Sequence, residues 1–489
     1  MILRGDSLSV LKTLPDESVQ CIMTSPPYWA LRKYDIPDIV FDGDADCEHE
    51  WGAPITRSVT PQTNLAALAD VHAPRLNPRN AIGQDYAYTS SSSFCQCGAW
   101  RGQLGQEPTP ELFIRHLVEI FREARRVLRP DGTCWLNMGD CYAADRSGTH
   151  MPAETIAGGV GGLGQDLGPY RGRGVDGVSR RDCTRYGLKH KDLVGIPWML
   201  AFALRADGWY LRAEIIWAKG LSFCPSYAGS VMPESVTDRP TRSHEQVFLL
   251  TKAERYYYDH EAVKEQGVYP AGTRAAKGSG TREGNRRGSP KQDGTGNRRT
   301  AGFNERYFAP DEDGYATYDG TRNLRTVWAI GVEPFSEAHF ATYPPDLVYP
   351  CLRAGTSAKG ACAACGAPWK RIVEYEPLPD DIKAQFEAAR SQTAEDHGRD
   401  DGFTTRRPNY VRKRTGERWE PTCACGVTET VPCTVLDPFA GSGTTGVVAE
   451  LLRLEFIGID LGYHEMSEQR IGDIAPLFRP PVAEQIKIL

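Results

Sequence analysis

Short apolar runs alternate along the chain with stretches of helical spacing. The apolar runs predict buried strands over 19–24, 133–138, 211–218, 246–251, 435–436 and 456–459. A Pro-Asp-Gly turn at 130–132 precedes the second of these strands. Helical spacing predicts helices over 111–128, 192–206, 444–454 and 463–474, the first with Thr109 as N-cap and Pro110 in its first turn. Strands and helices that alternate in this way indicate an α/β fold with a parallel sheet.

Composition limits the class of protein. The 489 residues are 40% hydrophobic and 25% charged, which suits one large globular domain or two to three smaller ones. No apolar run approaches the length of a membrane span, and residues 1–6 read as a strand rather than a signal peptide. We therefore expect a cytoplasmic protein with no membrane partner. Because the net charge is −6, any contact with DNA has to come from a local basic surface.

Two segments rich in glycine and arginine, at 143–190 and 271–302, interrupt the pattern and predict mobile basic loops. The second segment carries eight basic residues against Glu283 and Asp293. They are Arg274, Lys277, Arg282, Arg286, Arg287, Lys291, Arg298 and Arg299. A solvated linker is the usual explanation of such a segment. Because this one interrupts a compact pattern, contact with a DNA strand is a second explanation.

A glycine-rich turn follows the apolar run at 435–436 and leads into a predicted helix. It reads Asp-Pro-Phe-Ala-Gly-Ser-Gly-Thr-Thr over 437–445 and matches neither a P-loop nor the full dinucleotide fingerprint. Asp460 ends the next strand, about 20 residues beyond the glycines, where an acid can accept both ribose hydroxyls. The pattern predicts a site for S-adenosylmethionine, with Asp437 near the ammonium group of the ligand. The simpler alternative is a turn that only packs the helix on the sheet.

A second turn, Ser-Pro-Pro-Tyr-Trp at 25–29, ends the first apolar run. The two prolines remove two N–H donors, so the Ser25 hydroxyl and the carbonyl groups of Ser25 and Pro26 leave a rim rich in acceptors. Such a rim suits an exocyclic amine, and Tyr28 or Trp29 offers an aromatic face for a base. Taken alone, a Pro-Pro pair is more often a rigid turn.

Together the two turns resemble the motifs of the amino-group DNA methyltransferases that use S-adenosylmethionine. The target-base motif of that family is Ser/Asp-Pro-Pro-Tyr/Phe/Trp, its cofactor motif ends in Phe-x-Gly-x-Gly, and the order found here is that of the β class. Residues 5–7, Gly-Asp-Ser, resemble the family segment whose acid contacts the adenine of the cofactor. Residues 339–344 resemble the segment that closes the cofactor pocket, and 233–245 resemble a prophage-type subgroup.

The resemblance implies an α/β, Rossmann-like methyltransferase fold with permuted motif order, acting on double-stranded DNA. It implies catalytic roles for Ser25, Pro26, Pro27 and Tyr28. It implies cofactor contacts from Asp6, Thr342, Asp437, Phe439, Gly441, Ser442, Gly443, Thr444 and Asp460. In this family Ser-Pro-Pro-Tyr is typical of enzymes that methylate N4 of cytosine, and N6 of adenine is the alternative. The mechanism that the resemblance implies is direct: the target base would flip out of the duplex, and its amine would attack the methyl group.

Carbon-5 methylation of cytosine would need a cysteine nucleophile instead. The Pro-Cys pairs at 350–351 and 432–433 do not lie in the expected order relative to the cofactor motif.

Cysteine spacing predicts two structural zinc sites with complete sets of four ligands. The first set is Cys47, His49, Cys95 and Cys97, and the second is Cys362, Cys365, Cys423 and Cys425. The alternative is eight unrelated reduced side chains in loops.

The predicted organisation is a core divided between the two ends of the chain. A catalytic half comprises 1–43 and 105–220, and a zinc-binding insertion lies at 44–104. A target-recognition region follows at 221–330. The cofactor-binding half, 331–489, contains a second zinc-binding insertion at 360–426. Two other functions stay open: a zinc-containing DNA-binding protein with an inactive core, and an enzyme that acts on RNA.

Overall fold

In a computed structural model of the chain, the described residues fall into two compact units. The first unit comprises Met1–Tyr256, Val327–Tyr349 and Thr434–Leu489, and the second comprises Tyr257–Thr326 and Pro350–Cys433. The described residues are 1–29, 36–44, 46–52, 56–58, 87–89, 93–143, 188–189, 191–267 without 225, 228, 230, 232, 233 and 235, 309–310, 316–317, 321–332, 342–376 and 414–474. The predicted loops at 143–190 and 271–302 lie almost entirely outside them.

The strands and helices are numbered in chain order. The strands are β1 Ile2–Arg4, β2 Val19–Thr24, β3 Ile39–Phe41, β4 Thr56–Ser58, β5 Ala87–Thr89, β6 Ser93–Phe94, β7 Trp100–Gly102, β8 Leu128–Met138, β9 Tyr210–Ala218, β10 His244–Thr251, β11 Glu265–Gln266, β12 Ala309–Pro310, β13 Ala316–Thr317, β14 Thr321–Arg322, β15 Val327–Ala329, β16 Ala361–Cys362, β17 Lys370–Tyr375, β18 Arg414–Glu420, β19 Thr430–Val431, β20 Thr434–Asp437 and β21 Glu455–Asp460. The helices are α1 Ser7–Thr13, α2 Pro110–Val127, α3 Ile196–Ala206, α4 Pro345–Gly355, α5 Thr444–Leu451 and α6 His464–Asp473.

An eight-stranded sheet with the order β1-β21-β20-β2-β8-β10-β9-β15 forms the centre of the first unit. The strands from β1 to β8 in this order are parallel, which confirms the predicted α/β fold class. Strand β10 runs antiparallel to both of its neighbours, so the prediction of a wholly parallel sheet was wrong. An apolar run indicates that a strand is buried on both faces, but it does not indicate the direction of the strand.

Three predicted boundaries differ by three residues or more from those in the structure. The Pro-Asp-Gly segment at 130–132 is not a separate turn but part of β8, where the pairing with β2 shifts between Val19 and Cys21. Helix α3 begins at Ile196 rather than 192, because Gly195 before it is left-handed with φ of +85°. Helix α5 ends at Leu451 rather than 454, and Arg453 just beyond it has a left-handed φ of +58°.

Helix α2 packs its apolar stripe into the core of the first unit. Phe113, Leu117, Phe121 and Ala124 are completely buried there, in one cluster with side chains of β2, β8 and α3. The predicted N-cap is confirmed, since the Thr109 side chain accepts a hydrogen bond of 3.1 Å from the backbone N–H of Leu112. The helix therefore supports the sheet strands whose ends carry the motifs described below.

The second unit contains small antiparallel sheets that pair β11 with β14, β12 with β13, β16 with β19 and β17 with β18. In the largest of them, Arg371 on β17 pairs with Asp259 at 3.0 Å and with Glu417 at 2.7 Å. Its guanidinium also lies over the ring of Trp419. Across the described parts of both units, no helix has the length and apolar character needed to cross a bilayer.

Candidate active site

The two sequence motifs meet because their strands are neighbours in the sheet. Strand β2 pairs with β20 through Cys21–Val435 and Ile22–Leu436, although the two strands lie at opposite ends of the chain. A hydrogen bond of 2.6 Å from the Thr24 hydroxyl to the Asp437 carboxylate joins the last residues of the two strands. The structure therefore brings the Ser-Pro-Pro-Tyr turn and the glycine-rich turn to one edge of the sheet.

The Asp437 side chain is buried, hydrogen-bonded to its neighbours and not part of the pocket wall. Besides Thr24, its carboxylate accepts hydrogen bonds from the Phe439 N–H at 3.0 Å, the Thr445 hydroxyl at 2.7 Å and the Tyr343 hydroxyl at 2.9 Å. Burial raises the pKa of Asp437, and these donors oppose the rise. Its oxygens are shared among four donors and do not line the pocket. The predicted contact of Asp437 with an ammonium group stays a prediction.

A pocket opens at this edge of the first unit and is lined by both motifs. Eleven of the thirteen predicted catalytic and cofactor residues line it, and only Asp437 and Gly443 do not. The eleven are Asp6, Ser25, Pro26, Pro27, Tyr28, Thr342, Phe439, Gly441, Ser442, Thr444 and Asp460. Residues separated by more than 400 positions in the chain thus share one cavity.

On one side of the pocket, the glycine-rich turn is held by Asp460 at the end of β21. The Asp460 carboxylate accepts hydrogen bonds from the N–H groups of Gly441 at 3.0 Å, Gly462 at 2.8 Å and Tyr463. Burial raises the pKa of Asp460, against the opposing effect of these backbone donors. Gly443 has φ of +76°, and a β-carbon there would lie 3.1 Å from the Ser467 side chain. The turn therefore needs glycine both for its conformation and for its packing.

The N-terminal segment completes this side. Asp6 caps α1 by accepting a hydrogen bond of 2.8 Å from the Ser9 N–H. The Ser7 hydroxyl donates to the Pro438 carbonyl at 2.6 Å, and the Gly5 N–H donates to the Asp460 carbonyl at 3.1 Å. These bonds hold Asp6 at the pocket beside the glycine-rich turn.

On the other side of the pocket, Tyr28 belongs to a hydrogen-bonded chain that the sequence did not indicate. Its hydroxyl donates to the Glu245 carboxylate at 2.7 Å, and the Ser25 hydroxyl lies 3.5 Å from the Tyr28 oxygen, oriented to donate to it. Asn137 on β8 donates to the same Glu245 oxygen at 3.2 Å. The ring of Tyr28 lies so close to Gly139 that a β-carbon there would be 2.4 Å from it.

Glu245 is kept ionised by its surroundings. Burial alone would raise the pKa of this carboxyl group. The adjacent ammonium of Lys219 and the hydrogen bonds from Lys219, Tyr28 and Asn137 outweigh that effect, so the pKa lies below its ordinary value. An ionised carboxylate only accepts hydrogen bonds. Tyr28 therefore donates to Glu245, with Asn137 Oδ1 as a second acceptor at 3.2 Å, and the Tyr28 oxygen can accept a long hydrogen bond of 3.5 Å from the Ser25 hydroxyl.

Residues just before the predicted insertion at 44–104 and at its end supply a wall of the pocket that was not predicted. Ile39 and Phe41 on β3, and Gln103 and Leu104 just after β7, line the cavity. Strands β3, β6 and β7 form one small antiparallel sheet. A β-carbon on the left-handed Gly105 would lie 3.0 Å from the Tyr28 carbonyl oxygen, so the segment after β7 packs directly on the catalytic turn.

The first predicted metal set is assembled beside this small sheet. The four ligand atoms of Cys47, His49, Cys95 and Cys97 lie within 4.8 Å of one another. The two sulfurs of Cys47 and Cys95 are 3.8 Å apart, and the Cys97 sulfur is 3.4 Å from His49 Nδ1. Tetrahedral zinc with Zn–S bonds of about 2.3 Å places its sulfur ligands about 3.8 Å apart. The geometry thus suits zinc without rearrangement.

The second set lies in the second unit and has the same compactness. The sulfurs of Cys362, Cys365, Cys423 and Cys425 are all within 4.8 Å of one another. A tight turn holds the first pair, since the Gly366 N–H donates to the Cys362 carbonyl and the Cys362 N–H donates to the Ala367 carbonyl, both at 2.8 Å. Four thiolates are a typical structural set for zinc.

Comparison with known proteins adds independent information. A family model described as DNA methylase, for enzymes of the N6 and N4 type, matches residues 19–363 and 433–469, which is most of the chain. The type II methyltransferase M.Cfr9I of Citrobacter freundii is 35% identical over 355 residues, covering 73% of this chain and 72% of that protein.

Two further type II methyltransferases are similar. M.XycI of Xanthomonas campestris pv. cyanopsidis is 32% identical over 355 residues, with coverage of 73% of this chain and 72% of its own. M.SmaI of Serratia marcescens is 28% identical over 472 residues, covering 96% of this chain and 90% of its own. The similarity thus extends over the segments that build the pocket.

Proposed function

Because the chain belongs to the family of amino-group DNA methyltransferases that use S-adenosylmethionine, we propose that it methylates N4 of a flipped cytosine in double-stranded DNA. N6 of adenine is the alternative target. The observation that carries the proposal is the chain from Ser25 through Tyr28 to Glu245. When the Ser25 hydroxyl donates to Tyr28, its oxygen is left at the pocket as an acceptor for the substrate.

An acceptor at this position is what an exocyclic amine requires. The two amine protons need acceptors, and the Ser25 oxygen and the carbonyl groups of the Ser-Pro-Pro turn can supply them. With its protons held, the nitrogen is positioned with its lone pair out of conjugation with the ring. The prolines contribute no N–H that would compete for these acceptors. Orientation of the nucleophile is a large source of rate enhancement when no covalent enzyme intermediate forms.

The pocket residues fit S-adenosylmethionine. Asp460 has two carboxylate oxygens that accept three backbone hydrogen bonds, which leaves acceptor capacity for a ribose hydroxyl. Phe439 and Ile459 offer apolar contacts for an adenine ring, and Asp6 and Thr342 are available at the same wall. When bound there, the cofactor supplies an electrophilic methyl group. The chain itself binds and orients the amine beside it.

The choice of cytosine rests on Ser25. A serine in the first position of the Ser-Pro-Pro-Tyr motif is typical of the cytosine enzymes of this family, whereas aspartate is typical of the adenine enzymes. Base flipping is part of the same proposal, because an amine within a stacked duplex cannot reach a pocket at the sheet edge. A DNA substrate and reduced thiol ligands are consistent with the cytoplasmic location predicted above.

Mass spectrometry of nucleosides tests the product. The purified protein is incubated with unmethylated DNA and S-adenosylmethionine, and the DNA is digested to nucleosides. We expect N4-methyl-2′-deoxycytidine to accumulate with wild-type protein and to fall by at least about a hundredfold with Ser25→Ala, because the acceptor is lost. Detection of N6-methyl-2′-deoxyadenosine instead would identify adenine as the target. Unchanged turnover of Ser25→Ala would contradict the role given to its hydroxyl.

We further propose that both ligand sets bind zinc and that neither zinc ion is catalytic. Each set contains four ligand atoms of the types that tetrahedral zinc prefers, so no coordination position is left for a substrate. The first set supports the small sheet that lines the pocket, whereas the second stabilises the β16–β19 region of the second unit. Both roles are structural.

A further inference from the structure

Phe223 combines two features that are unfavourable in a folded protein. Its side chain is completely exposed, at 106% of the reference area, more than any other large apolar residue in the described part of the chain. Its backbone is left-handed with φ of +60°, a conformation that β-carbon contacts make costly for phenylalanine. Among the described residues no contact of the side chain offsets either feature, so a function outside the folded core would account for both.

The two ends of the segment that carries Phe223 lie close together. We call the described residues of this segment, 219–224, 226, 227 and 229, the finger. The Tyr227 hydroxyl lies 3.4 Å from the carbonyl oxygen of Ala218 and 3.5 Å from that of Lys219, to which it can donate. Gly229 returns so close to the start of the finger that a β-carbon there would lie 2.1 Å from the Lys219 carbonyl oxygen. The finger is thus held at both ends, with Phe223 in the turn between them.

The base of the finger adjoins the active site. The Lys219 N–H donates to the Ser243 carbonyl at 2.8 Å, next to the start of β10. The Lys219 ammonium pairs with Glu245, which accepts the hydrogen bond of Tyr28 in the pocket. Four residues of extended chain span at most about 14 Å, and the grooves of B-DNA are about 8 Å deep. The length of chain between Lys219 and Phe223 is thus sufficient to span the depth of a groove.

We propose that the finger enters the target duplex and that the Phe223 ring fills the space left in the stack by the flipped base. This inference rests on the proposed function. Apolar side chains that insert between base steps are a known means of opening a duplex, and an aromatic ring stacks on any neighbouring base. The exposed ring is buried only when DNA is bound, which accounts for its exposure in the free protein.

The methylation site is first identified by sequencing DNA that the protein has modified. The test then compares two DNA substrates that contain this site. In one the target base is paired, and in the other it faces an abasic site, so that flipping costs less. For Phe223→Ala we expect kcat/KM on the paired duplex to fall about tenfold to a hundredfold, as expected for loss of a few kcal/mol of stacking. On the unpaired substrate the variant should approach the wild-type rate. Phe223→Trp, which retains an aromatic ring, should stay near wild type on both.

Phe202→Ala is the matched control, because Phe202 is another exposed phenyl group but lies on α3. We expect it to act like the wild-type protein on both substrates. A loss with Phe223→Ala that is equal on both substrates would overturn the inference and indicate a role in shaping the pocket. Unchanged rates on both substrates would also overturn it.

Fluorescence of 2-aminopurine placed beside the target base reports unstacking without methyl transfer. It should rise on binding of wild-type protein and much less with Phe223→Ala. If the fluorescence shows insertion but no methylated cytosine forms, the proposed function is contradicted and the insertion of Phe223 is not. If cytosine is methylated but the wild-type protein and Phe223→Ala give the same fluorescence, only the insertion of Phe223 is contradicted.

Discussion

At the scale of single residues, Glu245 sets the direction of the hydrogen bonds that reach Ser25. We expect Glu245→Gln to lower the rate of methyl transfer about a hundredfold, because the amide of glutamine can donate to the Tyr28 oxygen and reverse the chain. The affinity for S-adenosylmethionine should not change, since Glu245 does not line the pocket. Single-turnover kinetics and calorimetric titration of the cofactor measure the two quantities.

Two variants make this prediction specific. Tyr28→Phe removes the hydroxyl that links Ser25 to Glu245. The double variant that combines Tyr28→Phe with Glu245→Gln should therefore be no slower than the slower of the two single variants. Rate losses that multiply would show that the two residues act independently. Glu214→Gln on β9 is the control, a partly buried carboxyl group without a contact to Tyr28 among the described bonds, and its rate should equal that of the wild type.

Sequence reasoning found the pocket residues that lie within short motifs and missed those that act across the sheet. Ser25 and Asp460 could be found because each ends an apolar run beside turn residues. Glu245 lies 217 positions from Tyr28, and no spacing rule connects them. The burial of Asp437 likewise depends on Thr24 and Tyr343, which are distant in the chain, so its isolation from the pocket could not be predicted from the motif.

At the scale of elements, apolar runs located the main strands, and capping chemistry located the start of α2. They could not reveal that β10 runs antiparallel or that β3 and the residues just after β7 line the pocket, because both facts follow from how segments pair. The cysteine spacing succeeded for a different reason. Four ligands have to converge on one ion, so the side chains themselves specify the long-range contact, and the structure does bring each set together.

The first zinc site makes a prediction for the element beside it. We expect the purified protein to contain about two zinc ions per chain, and Cys97→Ser to lose about one of them. Because the small sheet next to this site supplies Ile39, Phe41 and Leu104 to the pocket, the variant should also bind S-adenosylmethionine about tenfold more weakly or turn over more slowly. Metal analysis and cofactor titration check both effects.

Cys365→Ser is the matched variant at the second site. It should also lose about one zinc ion. Its cofactor affinity should stay at the wild-type value, since none of the described residues of the second unit lines the pocket. Equal weakening in both variants would contradict the local role assigned to the first site, and the absence of zinc from the wild-type protein would contradict both sites.

At the scale of the whole molecule, the first unit is built from three separate stretches of chain. Strand β1 at the N-terminus pairs with β21 near the C-terminus, so the catalytic and cofactor motifs become neighbours only when both ends have folded together. The target-recognition range 221–330 stays a prediction. It contains the core strand β10, and its basic segment at 271–302 lies outside the described residues.

That basic segment leads to a prediction about the salt dependence of DNA binding. The chain carries a net charge of −6, so DNA affinity has to be concentrated where cations cluster, and 271–302 holds eight of them. Each phosphate contact contributes about 0.9 to the slope of log affinity against log salt concentration. If Arg282, Arg286 and Arg287 contact phosphates, replacing all three with glutamine should reduce that slope by about 2.7 in fluorescence titrations.

Replacing three exposed cations elsewhere, Lys12, Lys370 and Arg453, changes the net charge equally and should leave the slope unchanged. Equal slopes for the two triple variants would mean that the segment is a solvated linker, whose charges act only through the total charge of the protein.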